Sequence, residues 1–208
     1  MTDVKICGLT REEDVRAACD LGAAYVGFNF SAVSPRRVRP AESRRLAAAA
    51  SGVRRVGVFV HESYREIEEA VGEASLDLVQ IHRRLTAEDL TNVPVPILAV
   101  VHAGREEEVP PPDLLGRCAG VLVDSASSTE AGGTGVPFDR AFLDGRTWPV
   151  PLFLAGGLSP ENVGESIART RAAAVDVASG VEASPGVKDR ARMARFFAAV
   201  RKADARTA

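Results

Sequence analysis

A chain of 208 residues suits one domain, and 46% hydrophobic content supplies one core. The net charge of −2, with no basic stripe, speaks against nucleic acid as a partner. No apolar run approaches the roughly 20 residues of a membrane span, and Met1-Thr2-Asp3-Val4-Lys5 lacks the build of a secretion signal. Cys7, Cys19 and Cys118 form no CxxC pair and no metal-type spacing, so they read as reduced thiols and the expected compartment is the cytoplasm.

Short apolar runs alternate with helical patterns along the chain. Strand candidates are residues 4–7, 24–30, 55–60, 76–81, 96–101, 119–123, 150–154 and 174–178. Each is almost wholly apolar, as strands covered on both faces of a parallel sheet must be. Between the first two, Thr10-Arg-Glu-Glu13 reads as a capping box and Gly22 as a C-terminal glycine. A helix is expected over 40–50, another opening with the capping box Ser63-Tyr-Arg-Glu66, and short ones over 86–90 and 138–143. Residues 103–112, where three glutamates meet three prolines, predict a degenerate or missing fifth helix. Ser159-Pro160 reads as a cap before a first-turn proline, and 189–203 as the last helix. Strand–helix alternation repeated eight times predicts an α/β fold, a single (β/α)8 TIM barrel over 1–201, with a frayed tail over 202–208. An open doubly wound sheet is the alternative, but no GxGxxG follows the first strand.

In such a barrel chemistry gathers at the C-terminal strand ends. Strand one ends in Cys7-Gly8, where the thiol is either a small core residue or a thiolate base whose pKa needs lowering. Strand six ends in Asp124-Ser125, a loop cap or a general acid. Arg36 follows a proline after strand two, either solvated or a bidentate clamp for a carboxylate. Gly156-Gly157 and Ser179-Gly180 follow strands seven and eight, the barrel position at which backbone N–H groups meet phosphate, although tight turns also favour glycine. His61, His82 and His102 end three consecutive strands and raise a metal hypothesis. Neither an HxH pair nor clustered carboxylates accompany them, and no metal is expected.

Read together, Val4-Lys-Ile-Cys-Gly-Leu-Thr10, Gly27-Phe-Asn-Phe30 with Ser34-Pro-Arg36, Leu78-Val-Gln-Ile-His82, Val123-Asp-Ser125 with Gly132-Gly-Thr-Gly135, Ala155-Gly-Gly-Leu158, and Val177-Ala-Ser-Gly-Val-Glu182 with Ser184-Pro-Gly-Val-Lys-Asp189 resemble the phosphoribosylanthranilate isomerase family, in family order from the first strand to the last helix. The resemblance implies an Amadori rearrangement of N-(5-phosphoribosyl)anthranilate, the third step from chorismate to tryptophan. It implies Cys7 as general base and Asp124 as general acid. Arg36 would hold the anthranilate carboxylate, His82 would lie near the substrate, and Gly133, Gly156, Gly157, Ser179 and Gly180 would serve phosphate and substrate binding. It implies no cofactor, a phosphorylated small molecule as the partner, and a monomer or homodimer. Arg83, Ala32-Val33 and Arg140 depart from the family's usual residues. A histidine-pathway phosphosugar barrel would be expected to carry an aspartate at the end of strand one, where Cys7 stands. A silent barrel that binds a phosphorylated ligand or a partner protein would not need Cys7, Asp124 and Arg36 together.

Overall fold

The computed structural model of the chain describes residues 1–124 and 140–207. Eight parallel strands close into a barrel in sequence order, β1 pairing with both β2 and β8. They are β1 (Asp3–Ile6), β2 (Tyr25–Asn29), β3 (Arg54–Phe59), β4 (Leu78–Ile81), β5 (Ile97–His102), β6 (Gly120–Asp124), β7 (Leu152–Ala155) and β8 (Ala174–Val177). The helices between them are α1 (Glu12–Leu21), α2 (Pro40–Ala49), α3 (Tyr64–Ala74), α4 (Ala87–Asn92), α5 (Pro112–Leu115), α6 (Val163–Thr170) and, last, α7 (Arg190–Thr207). The fifth is as weak as the prolines predict: a 3-10 turn at Glu106–Glu108, then the single turn of α5. A hairpin of β9 (Glu182–Ser184) and β10 (Val187–Lys188), not foreseen from the sequence, follows β8.

The period of two along each strand sorts the side chains. Val4 and Ile6 of β1, Val121 and Val123 of β6, and Val175 and Val177 of β8 belong to the core between sheet and helices. The alternate residues Tyr25, Leu78, Leu98, Leu122, Phe153 and Ala174 form a second core inside the barrel. The same parity turns Lys5, Cys7, Gln80, His82, His102, Asp124 and Asp176 inward. Apolar residues thus fill the lower barrel and polar ones gather above them.

Three local expectations need correction. Thr10 does not cap α1: its hydroxyl donates to the Gly186 carbonyl, the N-cap is Arg11, and Glu12, Glu13 and Asp14 complement the helix dipole instead. Ser159-Pro160 opens a turn rather than the helix, which starts at Val163 behind Asn162. The tail is not frayed from residue 202. α7 continues to Thr207, Ala203 is buried, and Asp204 accepts from both the backbone N–H and the hydroxyl of Thr2. The Ser63 capping box and the left-handed Gly22 stand as read.

Candidate active site

Lys5 and Cys7 lie two residues apart at the end of β1, on its inward side. Lys5 is wholly buried, and its ammonium donates to Asp176 Oδ1 at 3.1 Å on the neighbouring β8, where the two residues are in register. Its charge also acts on the neighbouring Cys7 thiol. Gly27 makes the arrangement possible, because a β-carbon there would stand 2.9 Å from Cys7 Sγ and 3.1 Å from Lys5 Nζ. Burial opposes the charge on Lys5, but Asp176 and Cys7 outweigh it and hold the ammonium above its ordinary pKa. Burial likewise pushes the Cys7 thiol up; Lys5 pulls it back, Asp176 opposes ionisation and Lys188 assists it. At rest the thiol is therefore protonated.

Arg36 is half-buried rather than solvated. Its Nε and Nη2 donate to the two oxygens of Glu182 at 2.8 and 2.7 Å. Glu182 also accepts from Lys188 Nζ at 2.8 Å, and Lys188 Nζ donates to the Ala178 carbonyl. Burial raises the Glu182 pKa, but the Arg36 and Lys188 contacts outweigh it and hold the carboxyl below its usual range. Gly8, at φ 70°, leaves room for the aliphatic stem of Arg36 across the end of β1. With Nε and one face of Nη2 engaged, the Nη1–Nη2 edge of the guanidinium is the one suited to a second carboxylate.

Asp124 closes β6, half-buried and in register with His102 on one side and Ala155 on the other. His82 and His102 stand side by side, ring centroids 6.2 Å apart. His82 Nε2 lies 2.7 Å from Gln80 Nε2, and Glu108 holds His102 Nδ1 at 2.6 Å. Burial, then His102, then Lys5 lower the His82 pKa to about 4, so the ring is neutral near pH 7. His61 is exposed. Among the described residues no three His, Cys, Asp or Glu side chains group as metal ligands.

Gly156 and Gly157 both take left-handed backbone, φ 86° and 60°, a conformation that favours glycine. Ser179 and Gly180 open a short 3-10 turn after β8. A side chain at Gly180 would collide with the Leu158 backbone, so the loops after β7 and β8 abut there. Gly133 lies outside the described residues, as do Ser125 and the rest of its glycine cluster.

The structure thus brings Cys7, Arg36, His82, Asp124 and the two glycine loops to the C-terminal end of the barrel. Sequence reasoning missed Lys5, Asp176, Glu182 and Lys188 as site residues. Lys5 and Asp176 interrupt otherwise apolar strands, and a charge among residues destined for a core is the signal that points to a paired or functional group. Arg83, a departure from the family pattern, forms a forked ion pair with the buried Asp89, which also accepts from Thr86 and from the Tyr64 hydroxyl.

The family model describing N-(5'phosphoribosyl)anthranilate (PRA) isomerase matches residues 4–199. A protein named N-(5'-phosphoribosyl)anthranilate isomerase from Cereibacter sphaeroides is 41% identical over 95% of this chain and 98% of its own length. The structure of phosphoribosyl anthranilate isomerase from Thermotoga maritima superposes with a TM-score of 0.86 at 34% identity, over 97% of this chain and all of that one. A structure of the isomerase in complex with reduced 1-(o-carboxyphenylamino)-1-deoxyribulose 5-phosphate matches at 0.79 and 31% identity, over 97% of this chain and 100% of that one. The chain belongs to the phosphoribosylanthranilate isomerase family.

Proposed function

We propose that this protein converts N-(5-phosphoribosyl)anthranilate to 1-(2-carboxyphenylamino)-1-deoxyribulose 5-phosphate, the isomerisation step of tryptophan synthesis. The observation that carries the assignment of roles is the pairing, in one barrel mouth, of an inward thiol among buried cations at the end of β1 with an inward carboxyl at the end of β6.

Asp124, protonated, donates to the furanose ring oxygen as the C1–O bond breaks and the anilino nitrogen lone pair forms the iminium. Cys7, as thiolate, removes the C2 proton. The C–H electrons become the C1–C2 double bond of an enolamine, and the iminium electrons return to nitrogen. Tautomerisation gives the 2-keto product. One acid and one base of opposed protonation suffice. The Nη1–Nη2 edge of Arg36 holds the anthranilate carboxylate. Backbone N–H groups at Gly156, Gly157, Ser179 and Gly180 hold the phosphate, and Gly133 serves substrate binding. Neutral His82 borders the substrate without taking a charge. The chemistry calls for no cofactor.

Three free thiols, Cys7, Cys19 and Cys118, favour the cytoplasm as the compartment, and among the described residues no helix is long and apolar enough to cross a membrane. The direct test is turnover of phosphoribosylanthranilate, followed by loss of anthranilate-type fluorescence. Turnover without added cofactor is expected; failure of the folded protein to consume it would overturn the assignment.

A further inference from the structure

We propose that Lys5 is the positioning residue of the thiol: its ammonium, pinned by Asp176, is the counter-charge that lets Cys7 ionise inside the barrel. The inference rests on the reading of Cys7 as the base.

A lysine with no exposed surface is costly unless paired. Asp176 meets that need with a 3.1 Å contact, but a balanced ion pair alone would be replaceable by apolar residues. The direction of Lys5 is what gives it a chemical role. It shares the inward side of β1 with Cys7, and both groups converge on Gly27, where a β-carbon would stand 2.9 Å from Cys7 Sγ and 3.1 Å from Lys5 Nζ.

The charges facing the thiol come from five elements. β1 supplies Lys5 and β8 supplies Asp176. The loop after β2 supplies Arg36, β10 supplies Lys188, and β9 supplies Glu182 behind the last two. Three cations stand against two carboxylates, so these groups carry one positive charge more than they neutralise. A Cys7 thiolate closes that balance. His82, facing Lys5 from the end of β4, adds no charge near neutral pH. Arg36 and Lys188 already serve Glu182, and Arg36 is the group for the substrate carboxylate. Lys5 is the cation that shares the strand and the inward side of the thiol. Asp176 then has two opposed effects: it keeps Lys5 charged, and as an anion beside the thiol it resists ionisation.

That opposition gives a test with two signs. Iodoacetamide alkylation of Cys7, resolved by peptide mass spectrometry with Cys19 as internal reference, reads the thiolate fraction independently of turnover. A charge neighbour of this kind is worth about one to three pKa units. Lys5→Met should therefore slow Cys7 alkylation at about pH 8 by roughly tenfold or more, whereas Asp176→Asn should speed it. If Lys5→Met does not fold, the double variant Lys5→Met/Asp176→Asn, which removes both buried charges, should still alkylate more slowly than Asp176→Asn. Rates unchanged within about twofold, or single variants shifting in the same direction, would overturn the proposal. Failure of the base reading shows up separately, as near-normal turnover in Cys7→Ser.

Discussion

Two buried ion clusters, one after β4 and one around the end of β1, are put to different use. At the βα4 loop, Asp89 is fully buried and every contact is internal: Arg83 forks onto both oxygens, the Tyr64 hydroxyl donates at 3.1 Å, and the Thr86 backbone and hydroxyl donate at 2.8 and 2.9 Å. The cluster ties α3, the loop and the N-terminus of α4 together and is saturated. Around the end of β1, the cluster of Lys5, Asp176, Arg36, Glu182 and Lys188 is charge-unbalanced and surrounds a thiol. A saturated cluster adds cohesion, while an unbalanced one beside a nucleophilic atom can do chemistry.

The largest expected effect comes from removing the thiol. Cys7→Ser is nearly isosteric but presents a far weaker base, and general base catalysis is worth about 10² to 10⁴-fold. Steady-state kinetics should show kcat lowered by at least two decades with a cooperative thermal melt retained. Near-normal kcat would erase the contrast, making the β1 cluster as structural as the other.

Arginine substitutions then separate the two clusters. Arg36→Met should raise KM more than it lowers kcat, since a guanidinium on a remote carboxylate contributes alike in ground and transition states. Arg83→Met should leave both constants within a few-fold yet lower stability by about 1–3 kcal/mol, the cost of leaving a buried acceptor short of a donor. Denaturant melts and initial rates on both variants check this. A large kcat loss in the Arg83 variant would place that cluster in the chemistry after all.

The smallest effect concerns His82. Its pKa is lowered to about 4, against about 6.5 for an unfolded histidine. Between those values the unfolded chain takes up a proton that the folded ring refuses, so acidification from about pH 6.5 to about 4 favours unfolding, and raising the pH restores that stability. Proton NMR should show the His82 ring resonances flat between pH 6 and 8, and His82→Gln should flatten part of the acid decline in melting temperature. A His82 midpoint near 6.5 would contradict the buried, neutral reading.

Much of this was legible in the sequence. The eight strands announced themselves as apolar runs because both faces of a barrel strand are buried, and Cys7, Asp124 and Arg36 stood out as polar groups at strand ends or just beyond them. The Thr10 cap and the Ser159 helix start were misread because tertiary partners outcompeted the local motif: the Thr10 hydroxyl reaches Gly186, 176 positions away in sequence. The Lys5–Asp176 and Arg36–Glu182 pairs span 171 and 146 positions. No local pattern specifies which charge a closed barrel sets beside which, so the charge balance around the thiol emerges only with the fold.

The central claim, an acid on β6 working opposite a base on β1, is tested most directly by Asp124→Asn, measuring kcat and the affinity for the reduced product analogue in the same preparation. The amide keeps the size of the acid and cannot protonate the ring oxygen at neutral pH, while the glycine loops proposed to hold the phosphate follow other strands, β7 and β8. Intact analogue affinity with kcat lowered by roughly 10²-fold or more is the result expected. A kcat barely changed, or binding and fold lost together, would contradict the acid role of Asp124.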